Sequence, residues 1–102
     1  MKHDDPWQLL TEKYPEIAQV VSRGVGNILE ISGLDEKTRQ LIYIAVQTAV
    51  CYPLAVRYHV PLALKAGATE REIVGAAAIA AAAAGPKGLV TCLPEILASD
   101  NK

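Results

Sequence analysis

Apolar residues recur at intervals of three and four along most of the chain, with no sustained period-two alternation, and this predicts helices rather than strands. A short amphipathic piece from Trp7 to Lys13 places Trp7, Leu9 and Leu10 where they can dock on a core. Pro15 opens a second helix reaching Ser32, in which Ile17, Val20, Val21, Val25, Ile28 and Leu29 repeat at helical spacing. Gly24 and Gly26 each weaken that helix by about 1 kcal/mol relative to alanine, so a bend or the close approach of another helix is expected there. Gly33 is placed to end it in the left-handed conformation.

Asp35 is positioned to cap a third helix, with Glu36 near its positive end. Leu34, Leu41, Ile42, Ala45, Val46 and Ala49 give an apolar stripe, while Gln40, Ile44, Gln47 and Cys51 fall on an adjacent face, a candidate site wall. At Cys51-Tyr52-Pro53 the proline ring disfavours an α conformation at Tyr52, and Pro53 suits the first turn of a fourth helix. That helix carries Ala55, Val56, His59, Leu62 and Ala63, with Pro61 expected to kink it against the Arg57 carbonyl. Gly67 closes it, and Thr69-Glu70-Arg71-Glu72 reads as a capping box for a fifth. From Ile73 to Ala84 the fifth helix is mostly alanine and has almost no polar side. It should therefore be buried all round, and in so short a chain a second subunit is the economical cover. Gly85-Pro86-Lys87-Gly88 stops it, and Leu89 to Ala98 forms a last helix with Pro94 starting a new turn. The class is all-α, a small bundle of about six helices.

Composition narrows the function classes. A length of 102 residues leaves room for one domain, residues 1–102, and a net charge of -1 without basic runs argues against a nucleic-acid surface. The lead Met1 to Pro6 is polar and unlike a signal peptide, and the Ile73–Ala84 run is too short to span a bilayer. A cytoplasmic protein with no membrane partner is expected, with its two cysteines, Cys51 and Cys92, resting as thiols.

His59 is the fourth helix's only imidazole, so it either satisfies a buried hydrogen bond or handles protons. Cys51 sits just outside a helix N-terminus, where a thiolate is favoured, although a small buried hydrophobe is the plainer reading; Cys92 reads as core. The Tyr52 hydroxyl can donate a hydrogen bond or hold an anion, Tyr43 and Tyr58 can add polar tips to an apolar pocket, and Gln40 can orient a ligand or His59. Ala55 lies one turn before His59 on the same side of the helix. A small-molecule ligand is expected, and neither a metal nor a cofactor.

The run from about Leu34 to Leu97 resembles the carboxymuconolactone decarboxylase family, which includes the alkylhydroperoxidase D-like proteins. The family pattern is a glutamate early in one helix, C-x-x-C-x-x-x-H across the corner, and an LKAGAT-x-x-E-I link into the next helix. Leu64-Lys65-Ala66-Gly67-Ala68-Thr69 with Glu72-Ile73 matches the link, and His59 falls on the histidine. Tyr52 and Ala55 occupy the two cysteine positions, and Gln40 the glutamate position. The resemblance implies an alkylhydroperoxidase D-like helical fold, trimers or hexamers, and a pocket histidine that exchanges protons.

Three functions stay open. One is acid–base chemistry of the lactone-decarboxylase kind, with His59 as the proton-transferring group and Tyr52 or Gln40 positioning the substrate. Another is alkylhydroperoxidase or peroxiredoxin-type thiol activity, which Cys51 alone would have to begin. The third is a non-catalytic oligomeric binding protein.

Overall fold

The computed structural model describes residues 5–98; the polar lead at residues 1–4 lies outside them. Six helices and no strand make up the described residues: α1 (Pro6–Lys13), α2 (Pro15–Ile31), α3 (Glu36–Ala49), α4 (Pro53–Lys65), α5 (Glu70–Ala84) and α6 (Lys87–Ala98). By its contacts the chain divides into two compact units, residues 1–34 and 35–102.

The first unit is a helical hairpin. Asp5 caps α1 by accepting the Trp7 amide at 3.0 Å, and Pro6 and Pro15 each open a helix where no amide donor is needed. Ala18 is the buried residue of the pair. Beside it a groove of about 430 Å³ is lined by Trp7, Thr11, Pro15, Glu16, Gln19 and Ser22. Gly33 takes the left-handed conformation after α2, at φ 79°.

The second unit is a four-helix cluster. Its core joins Ile44 of α3, Val56, Val60 and Ala63 of α4, Ile73 and Ala77 of α5, and Cys92 and Ile96 of α6, with Ala68 from the α4–α5 link. The Thr69–Glu72 capping box forms as expected, and Lys37 ties the start of α3 to Glu72 at 3.1 Å. The Thr69 amide and the Lys37 ammonium hold the Glu72 carboxyl below its ordinary value. At the other end α6 presses on α3: a Cβ on Gly88 would overlap the Thr48 carbonyl oxygen.

Two expectations, for the inner face of α3 and for the start of α6, need correction. On α3 the buried face is Gln40, Ile44 and Thr48, because α4, α5 and α6 all press on it; Ile42 and Val46 of the expected stripe are exposed. α5 buries Ile73, Ala77 and Ala80, and Ile79 on its far side is 70% exposed. α6 begins at Lys87 rather than Leu89, and Pro94 lies inside it instead of opening a turn. α4 runs through Pro61, which lies inside the helix and faces solvent.

Candidate functional site

The corner between α3 and α4 is built by a backbone pattern rather than by the proline alone. After α3 the Cys51 amide bonds the Thr48 carbonyl at 3.0 Å and the Tyr52 amide bonds the Gln47 carbonyl at 2.9 Å. These two bonds make a Schellman motif, which requires a left-handed residue at the position Cys51 occupies. Cys51 has φ 58°, the one non-glycine residue with positive φ among those described. The same motif closes α4, where the Gly67 amide bonds Leu64 at 3.0 Å and the Ala68 amide bonds Ala63 at 2.9 Å. There the left-handed position is a glycine, at φ 101°.

Tyr52 then stands before α4 as its N-cap, with no side-chain cap bond and its ring exposed. Cys51 lies one residue before that N-cap, just outside the α4 N-terminus, and belongs at the same time to the C-terminal cap of α3, where it is half-buried. Cys92 is fully buried, and burial pushes its thiol up, with Cys51 and Glu95 nearby adding to the effect and Thr48 opposing it. The Thr48 hydroxyl is itself buried without a well-formed hydrogen bond; the sulfur beside it is a weak acceptor.

Two turns into α4, His59 meets three side chains singled out from the sequence. Its Nδ1 lies 2.7 Å from Oε1 of Gln40, Tyr43 stacks on its ring at 4.2 Å and 9°, and Tyr58 meets it edge-on at 5.1 Å and 89°. Cys51 and Tyr52 are not among these contacts, and Ala55 is a half-buried neighbour one turn earlier on the helix. Arg57 points elsewhere, its Nε 3.9 Å from Glu95.

Glu36 supplies what the sequence reading missed. Its Oε2 accepts from the Gln40 amide nitrogen in a long contact of 3.5 Å, and its Oε1 accepts from Arg39 at 2.9 Å. A carboxylate only accepts, so the Gln40 NH₂ must face Glu36 and the amide oxygen must face the imidazole. That orientation assigns the proton to Nδ1 and leaves Nε2 as a free lone pair. Glu36 and Gln40 stand four residues apart on one helix, the only sequence signal of the connection. Desolvation holds the pKa of His59 below its ordinary value, which keeps the ring neutral near pH 7. The result is an oriented neutral base, flanked by two phenols and backed by a carboxylate one amide away.

Among the described residues no group of three or more His, Cys, Asp or Glu side chains could hold a metal ion, and no helix is long and apolar enough to cross a membrane.

An all-α fold whose histidine follows a broken helix corner and is steered by a residue of the preceding helix defines a class of small helical proteins. The chain belongs to the carboxymuconolactone decarboxylase family: a model of that family matches residues 15–93, beginning at α2 and therefore earlier than the resemblance read from the sequence. No curated protein and no solved structure matches the chain.

Proposed function

We propose that the protein binds a small carbonyl-containing acid, of the lactone-acid type, and moves a proton on it through Nε2 of His59. What supports this reading is the Glu36–Gln40–His59 chain, in which an amide oxygen facing Nδ1 favours the proton there and leaves Nε2 to act as the base. Arrangements that orient an imidazole from behind are what proton transfer needs, because only a correctly placed lone pair reaches the substrate proton in line. A desolvated, neutral ring is the form able to accept that proton. Tyr43 and Tyr58 flank the ring, and their hydroxyls can hold a carboxylate or an enolate oxygen as charge develops on it.

Thiol chemistry draws less support from the same residues. With Tyr52 and Ala55 at the two cysteine positions of the family pattern, the one other thiol is Cys92, near Cys51 but fully buried and with its pKa pushed up, which makes it a poor group to resolve a sulfenic acid. The decisive experiment is turnover of a panel of lactone acids and 2-oxo acids by wild type and by His59→Gln. Loss of turnover by about 10²-fold or more, with circular dichroism unchanged, is the expected result. Equal turnover by the two proteins would overturn the reading, and a peroxide-consumption rate abolished by Cys51→Ser would transfer it to the thiol.

A further inference from the structure

Cys92 is a nucleophilic group that proton chemistry at His59 leaves unused, and the residues around it bear on the form of the α3–α4 corner. Glycine suits the left-handed position of a Schellman motif, and the chain uses it to end α4. At the end of α3 the same position is Cys51 at φ 58°, so a side chain is carried there against the preference of the backbone. What lies near that side chain is set by α6. Gly88 brings the two helices together: a Cβ there would overlap the Thr48 carbonyl oxygen, and that same oxygen accepts the Cys51 amide at 3.0 Å. Cys92 follows Gly88 by one turn on the same side of α6 and is fully buried. Its sulfur lies beside the Thr48 hydroxyl, which is buried without a full hydrogen-bond partner, and near enough to Cys51 for a thiolate there to raise its pKa. Both cysteines and every contact between them belong to residues 35–102, one compact unit.

Two thiols in this setting make poor anions. Burial penalises the Cys92 thiolate, and a second negative charge beside it adds to the penalty. A disulfide carries no charge, so the pair suits covalent closure better than service as thiolates. It is also distinct from the two cysteine positions of the family pattern, which hold Tyr52 and Ala55. We infer that Cys51 and Cys92 form a redox latch: under oxidising conditions a disulfide joins the C-terminal cap of α3 to α6. With a low-molecular-weight disulfide as oxidant, the Cys51 thiolate, the more accessible of the two, attacks one sulfur and releases one thiol. The Cys92 sulfur, after giving up its proton, then attacks the Cys51 sulfur and releases the second thiol. The protein loses two hydrogens and two electrons, and the oxidant is reduced to two thiols. A buried attacking group with a raised pKa makes the second step slow, which fits a single closure on oxidation and not a catalytic cycle. The latch does not rest on the proton chemistry at His59.

The test equilibrates full-length wild-type protein with reduced and oxidised glutathione at a series of ratios, up to oxidised glutathione alone, and reads intact mass and tryptic peptides. A chain lighter by two hydrogens is expected, with the peptide 40–57 joined to the peptide 88–102. The oxidised chain should run as a single chain on a gel without reductant. It should also unfold about 10 °C above the reduced chain, since the bond closes a loop that spans α4 and α5. Cys92→Ser should instead stop at the glutathione adduct on Cys51. Wild type that keeps glutathione on Cys51 across the series would overturn the inference, as would linkage between chains or thiols that stay reduced at every ratio. So would a thermal midpoint unchanged or lowered on closure, because a latch holds the native packing in place. The wild-type readings need no substitution, so none of these outcomes can be ascribed to a misfolded variant.

Discussion

At Cys51 the backbone adopts a conformation that elsewhere in the same molecule is given to glycine. The Schellman motifs that end α3 and α4 make the same two hydrogen bonds, yet one uses Cys51 at φ 58° and the other Gly67 at φ 101°. A side chain in the left-handed region costs roughly 1–2 kcal/mol, part of which glycine gives back through its freer unfolded chain. Cys51→Gly is therefore expected to stabilise the fold by about 0.5–1 kcal/mol, read as a higher urea midpoint. A drop in stability would mean that the half-buried thiol contributes packing that outweighs the strain. His59 gives a pH dependence at the same scale. Its folded pKa is lowered by desolvation, so on acidification the unfolded chain takes up the proton first. The stabilising contribution is complete above the ordinary value of about 6.5 and is lost as the pH falls through it towards the native value. Wild type should lose stability over that window to a greater extent than His59→Gln, as measured by urea unfolding at a series of pH values. A nuclear magnetic resonance titration of the imidazole should give a midpoint below 6.5.

Among the elements, α3 organises the second unit because it touches α4, α5 and α6. Its inner face carries Gln40, Ile44 and Thr48 in successive turns: the amide reaches His59, the isoleucine fills the core, and the Thr48 backbone receives α6. The α6 contact depends on Gly88, which has no space for a Cβ against the Thr48 carbonyl oxygen. Gly88→Ala should cost about 3 kcal/mol, since the two backbones must separate and the Cys92 and Ile96 side chains with them. Thermal unfolding checks it, and an unchanged midpoint would show that α6 can shift without loss. This contact was not legible in the sequence, where Gly88 read only as part of a stop signal after α5. The caps were legible: Asp35 accepts the Thr38 amide at 2.8 Å, and Thr69 and Glu72 exchange their bonds as the spacing predicts, because capping is decided within four residues.

At the scale of the whole molecule, the exposed apolar surface is the feature most in need of a partner. In the second unit Ile42 and Val46 stand exposed on α3 with Val50 at its C-cap, and Ile79 and Val90 stand exposed on α5 and α6. Faces of this extent belong to interfaces more often than to solvent. If association covers them, folding is linked to protein concentration by mass action. A tenfold rise in chain concentration should then raise the thermal midpoint. A wild-type midpoint independent of concentration would count against any associated native state.

What the sequence determined by itself was much of what local spacing governs: six helices, the caps at Asp35 and at Thr69–Glu72, the glycine stops at Gly33 and Gly67, the corner before Pro53, and the family to which the chain belongs. Gln40, Tyr43 and Tyr58 were also legible as companions of His59. Tertiary structure decided which face of α3 turns inward, that Glu36 stands behind Gln40, that Cys51 belongs to a left-handed cap, and that Ile79 of α5 stands exposed. The physical reason is that helical periodicity fixes which residues share a face, whereas the burial of that face depends on which other helices arrive over it. Alanine-rich α5 and the mixed face of α3 carry no local information about those arrivals, so only the packed chain could supply it.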